Sequence, residues 1–407
     1  MRVIKFFFIY FFIGIYSLEV LLFFFNSPGQ RSLIDIKSKR LEFAKKKNQI
    51  YDLRTPEEAY VDNKKLNKKL KPNFLYSIAF SDLKTFKNAE NKKLLIPFRG
   101  PINSPSLSCA EDLRYRIINN DKYGFKNPNS IYNKKINSIL LGDSYAEGLC
   151  EISEKDIAGN LNKKRINTIN FGVTGSGPLV SLAILKEFGN IFKPKNIIYL
   201  YFEGNDLGDL SWEKNNSNLS NYLKEDYRLD YYNKYKEINL FLNAAAEETE
   251  KIILSKVNDN RNNVAVKKKK YEVFKEHFKD IMELSNLKNI VRFNLFNSEK
   301  KNYDLKLLYS VVEKMNFESK KWNGNYIFVY VPTWSRYFTK YNKESYRTSL
   351  KDEILTNLRS KKITTIDLTK FFDNENNIKK YFPLEYVGHY NEKGYKKIAD
   401  IISKKLK

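Results

Sequence analysis

The feature that most limits the possible folds is an alternation of short apolar strands and helical stretches that begins at Ile136. This alternation is typical of a parallel sheet whose strands are connected by helices. Several of the strands are apolar over most of their length, as expected for strands that are covered on both faces. The predicted strands are Ile136–Leu141, Ile166–Phe171, Asn196–Phe202, Tyr326–Val331 and Ile363–Leu368.

Five strands with helical crossovers predict an α/β fold, namely a doubly wound, flavodoxin-like parallel sheet in three α/β/α layers. Ligands of such sheets bind beyond the carboxyl ends of the strands. A Lys/Glu-rich helical insert is predicted at about 211–302, between the third and fourth strands. The main domain is therefore predicted over 136–407, and residues 26–135 are predicted to be a linker and an extension packed on it.

A candidate nucleophile follows the first predicted strand, in the tight turn Gly142-Asp143-Ser144 before a predicted helix. This arrangement places the serine hydroxyl at the carboxyl end of a parallel strand. The helix start offers free backbone N–H groups and the positive end of a dipole, which favour an oxyanion. Gly-Asp-Ser is also an ordinary turn sequence, so the turn alone does not identify a nucleophile.

Two loops that follow the next strands contain candidate oxyanion donors. Gly175 lies in a glycine-rich loop after the second strand, where a backbone N–H can approach a ligand closely. Asn205, in the segment Glu203-Gly204-Asn205-Asp206 after the third strand, offers a side-chain amide as a further donor. Taken alone, each segment is better explained as a plain turn.

Only two histidines are available as a general base. His389 precedes the final predicted helix and lies on the same predicted rim as Ser144. His277 lies in the Lys/Glu-rich insert, where a surface position is expected. His389 is therefore the predicted base.

These segments together resemble the four blocks of the SGNH (GDSL-type) hydrolase superfamily, over roughly Ile136 to Lys407. The resemblance implies that Ser144 is the nucleophile and His389 its general base. It also implies an oxyanion hole formed by the backbone N–H groups of Ser144 and Gly175 and by the Asn205 side chain. The implied enzyme is a serine esterase or deacylase that forms an acyl-enzyme. Transfer of the acyl group to a glycan hydroxyl instead of water would make it an O-acyltransferase.

The chain departs from the family pattern in two places. Glu203 occupies the position of a family glycine, and the glycine of this chain follows one residue later. The family places an Asp three residues before the histidine, but here that position is Tyr386. Glu385 is the tentative replacement for the acid; otherwise a backbone carbonyl would orient the imidazole of a Ser-His dyad. A catalytically weak scaffold of a polysaccharide assembly complex is therefore an alternative to an enzyme.

Residues 4–25 are almost wholly apolar and long enough for a transmembrane helix, although Lys5 and Glu19 interrupt them. No small-residue cleavage site follows, which favours an uncleaved signal anchor, with a buried core helix as the alternative. The anchor and the segment 121–127 resemble membrane-anchored bacterial members that are associated with surface polysaccharides. This implies O-acyl esters of a cell-surface carbohydrate, foremost O-acetyl esters, as substrates.

The residues alone do not decide whether the main domain is cytoplasmic or extracytoplasmic. The basic residues after the apolar segment favour a cytoplasmic domain, but long domains are translocated largely regardless of charge. The resemblance implies an exported, extracytoplasmic domain, which would permit a Cys109–Cys150 disulfide. Two buried thiols are the alternative. The cysteines match no metal-ligand spacing, and neither a metal nor a cofactor is expected.

The net charge of +25 does not predict a nucleic-acid partner. The lysines are spread over nearly every segment, and no nucleic-acid-binding motif accompanies them. Anionic lipid head groups or an acidic polysaccharide are the favoured partners of such a surface. Trp334, which follows the fourth predicted strand, is expected either to stack on a sugar ring or to pack in the core.

Overall fold

The computed structural model describes residues 2–25, 33–73, 100–261, 278, 281–284, 287, 303–338 and 346–406. The chain divides into two compact units. One unit comprises residues 1–37 and 255–302, and the other comprises residues 38–254 and 303–407. The second unit contains the parallel sheet and every predicted site residue. The other histidine, His277, which is expected at the surface, lies outside the described residues.

The bounds of the secondary-structure elements are as follows. The strands are β1 (Pro105–Leu107), β2 (Ile117–Asn119), β3 (Ser138–Gly142), β4 (Thr168–Asn170), β5 (Asn196–Phe202), β6 (Asn325–Val331) and β7 (Thr364–Asp367). The helices are α1 (Arg2–Phe25), α2 (Leu33–Lys46), α3 (Pro56–Leu66), α4 (Ser144–Glu147), α5 (Ile157–Lys163), α6 (Pro178–Phe192), α7 (Asp206–Glu213), α8 (Ser217–Ser220), α9 (Tyr231–Arg261), α10 (Leu305–Lys320), α11 (Ser335–Phe338), α12 (Tyr346–Ser360), α13 (Thr369–Phe372) and α14 (Glu392–Ser403).

Helix α1 contains the whole segment that the sequence predicts to cross a membrane. Within the residues described, no helix combines the length and the apolarity of a bilayer span, so the predicted signal anchor at 4–25 is not confirmed. Glu19 in this helix is fully buried, and its carboxylate accepts a hydrogen bond from the backbone N–H of Leu287 at 2.7 Å.

The predicted five-stranded parallel sheet is confirmed. Its strands have the order β4-β3-β5-β6-β7, and every neighbouring pair is parallel. This is the order of the flavodoxin-like doubly wound fold, in which the chain reverses direction across the sheet beside its first strand. Each strand ends within two residues of its predicted carboxyl end. Strands β3 and β5 are buried and apolar over most of their length, whereas the short β4 is buried although two of its three residues are polar.

Alternate side chains of the strands belong to two separate apolar cores, as the pleat of a strand requires. Ile139, Leu141, Tyr199 and Phe328 pack with α6, α9, α10 and α12 on one face. The opposite face packs with α4, α5 and α14 and includes Leu140, Ile198, Leu200 and Val329. The result is the predicted three-layer α/β/α arrangement.

The segment before the sheet contributes to the same fold. Strands β1 and β2, which the sequence analysis did not predict, form an antiparallel pair. Tyr123, Phe125 and Ile131 are buried in the core that contains α6. In the predicted insert at 211–302, the described helical residues are the end of α7, then α8 and α9, together with a few residues near 281–287.

Candidate active site

The turn Gly142-Asp143-Ser144 begins with the last residue of β3. Gly142 has a φ of 138°, and a Cβ added there would lie 2.6 Å from the backbone oxygen of Leu200. Only glycine fits this position, because the backbone of β5 is too close for a side chain. The Asp143 carboxylate caps α4 by accepting a hydrogen bond from Tyr145 N at 2.9 Å. Ser144 is therefore the first residue of a helix, and its backbone N–H has no acceptor within that helix.

His389 lies against this serine, as the sequence predicted for a residue of the same rim. Its Nε2 is 2.8 Å from the Ser144 Oγ. The ring of Tyr145, which stacks on Phe202 at a centroid distance of 3.8 Å, also packs against the imidazole at 4.6 Å. The position of the imidazole is therefore fixed by a ring on the nucleophile helix as well as by the serine.

Glu111 supplies the carboxylate that orients the imidazole. Its Oε1 lies 2.9 Å from Nδ1 of His389, and its Oε2 accepts a hydrogen bond from the backbone N–H of the same residue at 2.7 Å. With Nδ1 protonated and donating to Glu111, Nε2 is free to accept a proton from Ser144. Ser144, His389 and Glu111 thus form one continuous hydrogen-bonded chain.

The tentative assignment of Glu385 as the acid is wrong. Glu385 has a left-handed backbone with a φ of 51° and an exposed side chain. Leu384 and Glu385 form a tight turn before residues 386–391, the loop that contains His389 and is called the histidine loop below. Tyr386, at the position of the family Asp, has its ring 5.7 Å from the Lys39 ammonium. The acid comes instead from a segment that precedes the whole parallel sheet.

The charges of His389 and Glu111 suit a general base and the acid that orients it. Burial lowers the pKa of His389, but the charge and hydrogen bond of Glu111, with further contributions from Asp143 and Glu147, raise this pKa above its ordinary value. Burial raises the pKa of Glu111, but His389 and then Arg40 outweigh that effect and hold it below its ordinary value. Glu111 is therefore an anion at neutral pH and favours the imidazolium.

A disulfide connects the acid and the nucleophile segments. Cys109, two residues before Glu111, is bonded to Cys150, which closely follows α4. The two Cα atoms are 4.9 Å apart, and the bond joins residues that are separated by 41 positions. This bond ties the Glu111 segment to the turn that follows the helix beginning with Ser144.

The two predicted oxyanion segments lie at the ends of β4 and β5. Gly175 has a φ of 79°, in the region that favours glycine. The loop that contains it is connected to α4, because the Glu147 carboxylate accepts hydrogen bonds from the backbone N–H, at 2.9 Å, and the hydroxyl of Thr174. Beyond it, the Glu213 carboxylate accepts hydrogen bonds from Gly177 N and Leu179 N, and burial raises the pKa of Glu213 to about 8.

Asn205 is held by a carboxylate of its own helix. Its Nδ2 donates to Asp209 Oδ2 at 2.8 Å, which occupies one of the two amide hydrogens. Burial raises the pKa of Asp143 to about 6, and a side-chain hydrogen bond from Asn205 acts against this rise. The oxyanion role of Asn205 stays a prediction. The Glu203 carboxylate, at the family glycine position, accepts hydrogen bonds from Thr333 N and from Arg336. Trp334 is partly buried against the core that contains α14.

Two groups of this site were not identified from the sequence, namely Glu111 and Arg40. Arg40 donates from Nη2 to the backbone oxygen of Val387 at 2.6 Å, in the histidine loop. One signal for Glu111 was available, since it lies two residues from a cysteine whose only possible partner closely follows the nucleophile turn. In the described ranges, no three His, Cys, Asp or Glu side chains are grouped so as to hold a metal ion.

Comparisons with known proteins give a likeness in structure alone. No protein-family model matches the chain, and no curated protein sequence matches it. Among solved structures, it is similar to a lipolytic protein of the G-D-S-L family from Desulfitobacterium hafniense DCB-2, at 12% identity and a TM-score of 0.32 over 66% of this chain and 98% of that chain. It is also similar to a GDSL-like lipase from Bacteroides thetaiotaomicron VPI-5482, at 12% identity and a TM-score of 0.33 over 67% of this chain and 89% of that chain.

Proposed function

We propose that this protein is a serine hydrolase of ester bonds, with Ser144 as nucleophile, His389 as general base and Glu111 as the orienting acid. The observation that carries the proposal is the hydrogen-bonded chain from Ser144 Oγ through His389 to Glu111, with distances of 2.8 and 2.9 Å. Such a chain activates a hydroxyl that is otherwise a weak nucleophile. An anionic acid also fixes the tautomer of the base and stabilises the imidazolium that forms.

The reaction proceeds through an acyl-enzyme. Ser144 Oγ attacks the ester carbonyl while its proton moves to His389 Nε2. The imidazolium then gives this proton to the leaving alkoxide as the C–O bond breaks, which leaves the acyl group on Ser144. A water molecule repeats the sequence in the second half, with His389 again accepting the proton, and releases the carboxylic acid.

The negative charge of the tetrahedral intermediates requires hydrogen-bond donors. The assigned donors are the backbone N–H groups of Ser144 and Gly175 and the Asn205 side chain. Supporting observations are the position of Ser144 at a helix start and the left-handed backbone of Gly175. The bond from Asn205 to Asp209 restrains this amide, so that it would meet the oxyanion with little loss of rotational freedom.

The proposed substrates are O-acyl esters of a cell-surface carbohydrate, with O-acetyl esters foremost, and the proposed location of the catalytic unit is extracytoplasmic. The Cys109–Cys150 bond supports this location, because disulfides persist in oxidising compartments. A net charge of +25 suits an acidic polysaccharide. The missing acid at Tyr386 and the long basic insert are the reasons for the alternative of a non-catalytic scaffold; the contact of Glu111 with His389 favours the enzyme instead.

The test is covalent labelling with a fluorophosphonate probe, followed by mass spectrometry of the labelled peptide. We expect the label on Ser144 in the wild-type chain and loss of labelling in Ser144→Ala. Hydrolysis of an acetyl ester reporter should fall at least about 10³-fold in Ser144→Ala and in His389→Ala. Equal rates in wild type and both variants, or a label on another residue, would show that the proposal is wrong.

A further inference from the structure

Helix α2 places the guanidinium of Arg40 against the histidine loop. Its residue Ala44 is buried with Leu113 and Leu384, and Leu41 and Phe43 pack against them. This small apolar cluster therefore joins α2 to the segment after Glu111 and to the turn before His389. Arg40 lies one helical turn before Ala44, on the side that faces these two segments.

The Arg40 guanidinium and the Glu111 carboxylate converge on Gly388. Arg40 Nη2 donates to the backbone oxygen of Val387 at 2.6 Å. A Cβ added at Gly388 would lie 3.0 Å from Arg40 Nη2 and 2.7 Å from Glu111 Oε2. The residue between Val387 and His389 is thus enclosed by a cation and an anion that leave no room for a side chain.

His389 and Arg40 have different sets of charged neighbours. The anions that favour a protonated His389 are Glu111, Asp143 and Glu147. The groups that act electrostatically on Arg40 are Glu111, Asp112 and Tyr386, while burial disfavours its charge. Arginine nevertheless stays protonated in proteins, so Arg40 is a permanent cation beside Glu111.

We propose that Arg40 is a positioning residue, which fixes the histidine loop through the Val387 carbonyl and offsets part of the negative charge that Glu111 places beside the imidazole. A general base works only in its unprotonated form, and three anions near His389 oppose that form. A cation that acts electrostatically on the acid rather than on the base reduces this opposition without competing for Nε2. This inference rests on the proposed function of Ser144, His389 and Glu111.

The kinetic test compares three variants of the full chain. Arg40→Gln removes the charge, Arg40→Lys keeps it but cannot reproduce the guanidinium geometry, and Lys45→Gln removes an exposed cation from the same helix as a control. We expect Arg40→Gln to lose about ten-fold more kcat at pH 6 than at pH 9, with KM within about two-fold. Arg40→Lys should lower kcat about equally at both pH values, and Lys45→Gln should match wild type.

Either of two results would overturn the proposal. One is a wild-type pH profile in Arg40→Gln, and the other is the same shift in Lys45→Gln, which would show an effect of net charge only. Should Arg40→Gln fail to fold, as judged by circular dichroism, Arg40→Lys decides the question. Wild-type kcat in Arg40→Lys would then overturn the proposed role of the Val387 contact.

A second readout does not depend on enzyme activity. In a His277→Asn background, the imidazole NMR signals come from His389 alone, because the chain has only two histidines. The proposal requires His389 to titrate at a higher pH in Arg40→Gln than with Arg40 present, and an unchanged or lower midpoint contradicts it. If wild type and Ser144→Ala are equally inactive, the proposed function fails, while this titration still decides the role of Arg40.

Discussion

Two glutamates near the histidine show that sequence distance is a poor guide to the orienting acid. Glu385 is four residues from His389 but is exposed, whereas Glu111 accepts two hydrogen bonds from that residue across 278 positions of sequence. Because the Glu111 carboxylate contacts both the ring and the backbone N–H of His389, it restrains the imidazole and its loop together. The carboxylate that contacts the imidazole therefore belongs to a residue that is remote in sequence.

Replacing Glu111 tests this assignment. In Glu111→Gln, we expect kcat to fall by roughly 10² to 10⁴, because the tautomer and the imidazolium lose their anionic partner. Since Glu111 raises the pKa of His389, the acid limb of the remaining activity should move to lower pH. The measurement is a pH profile of kcat/KM with an acetyl ester.

Glu385→Gln is the matched control for that experiment, because it makes the same chemical change at an exposed position in the turn before His389. Its rate should remain within about two-fold of wild type. A large loss in Glu385→Gln together with full activity in Glu111→Gln would reverse the assignment.

At the scale of elements, the disulfide joins the loop after β1 to the turn that follows helix α4. Glu111 follows Cys109 by two residues, and Leu113 begins the apolar contact with α2. Glu111 is thus held on one side by a covalent bond to the turn after α4 and on the other by packing. No regular strand or helix carries Glu111 itself, so these two attachments determine where its carboxylate lies.

Removing the disulfide should reduce both stability and catalysis. For a loop of this length, the free energy of unfolding should fall by up to about 4 kcal/mol in Cys109→Ser/Cys150→Ser, as measured by urea denaturation. The kcat should fall about ten-fold, because the Glu111 segment loses its attachment to α4. If the bond acts through Glu111, the same double substitution should change kcat less than about two-fold in a Glu111→Gln background. A ten-fold loss in that background would show that the disulfide acts elsewhere.

The sequence predicts the elements of the sheet well and the elements that precede it poorly. Strands such as β5, buried at all seven positions, have a continuous apolar pattern that few other structures allow. Strands β1 and β2 have three residues each, too few for any period to be visible. Ser144 and His389 were predicted because they follow sheet strands, whereas Glu111 follows a short strand of a separate pair, whose placement depends on tertiary contacts alone.

At the scale of the whole molecule, the segment before the sheet is part of the main core. Phe125 is fully buried, and its ring meets Phe171 at 4.7 Å and Phe188 at 5.6 Å. Lys126 is also buried, with its ammonium 3.2 Å from the Asp156 carboxylate and 2.8 Å from the Gly148 oxygen. The extension and the sheet therefore form one core. Phe125 makes the apolar contacts of the extension with it, and Lys126 makes the charged one.

Phe125→Ala tests whether the extension unfolds together with the sheet. The lost burial and the remaining cavity should reduce the free energy of unfolding by about 3–5 kcal/mol. The loss should appear in a single transition that is followed equally by far-ultraviolet circular dichroism and by ester hydrolysis. Phe371→Ala, at a residue that is 40% exposed, is the control and should cost clearly less. Two separate transitions would show that the extension folds independently.

The order of the three proposed catalytic groups along the chain has a consequence for biosynthesis. Glu111 and Ser144 emerge from the ribosome early, while His389 follows only after all five strands of the parallel sheet. Because domains fold as the chain is made, much of the sheet can form around a serine that still has no base. A nascent polypeptide of this sequence is therefore expected to be chemically inert towards esters until its last strand and the loop beyond it have been synthesised.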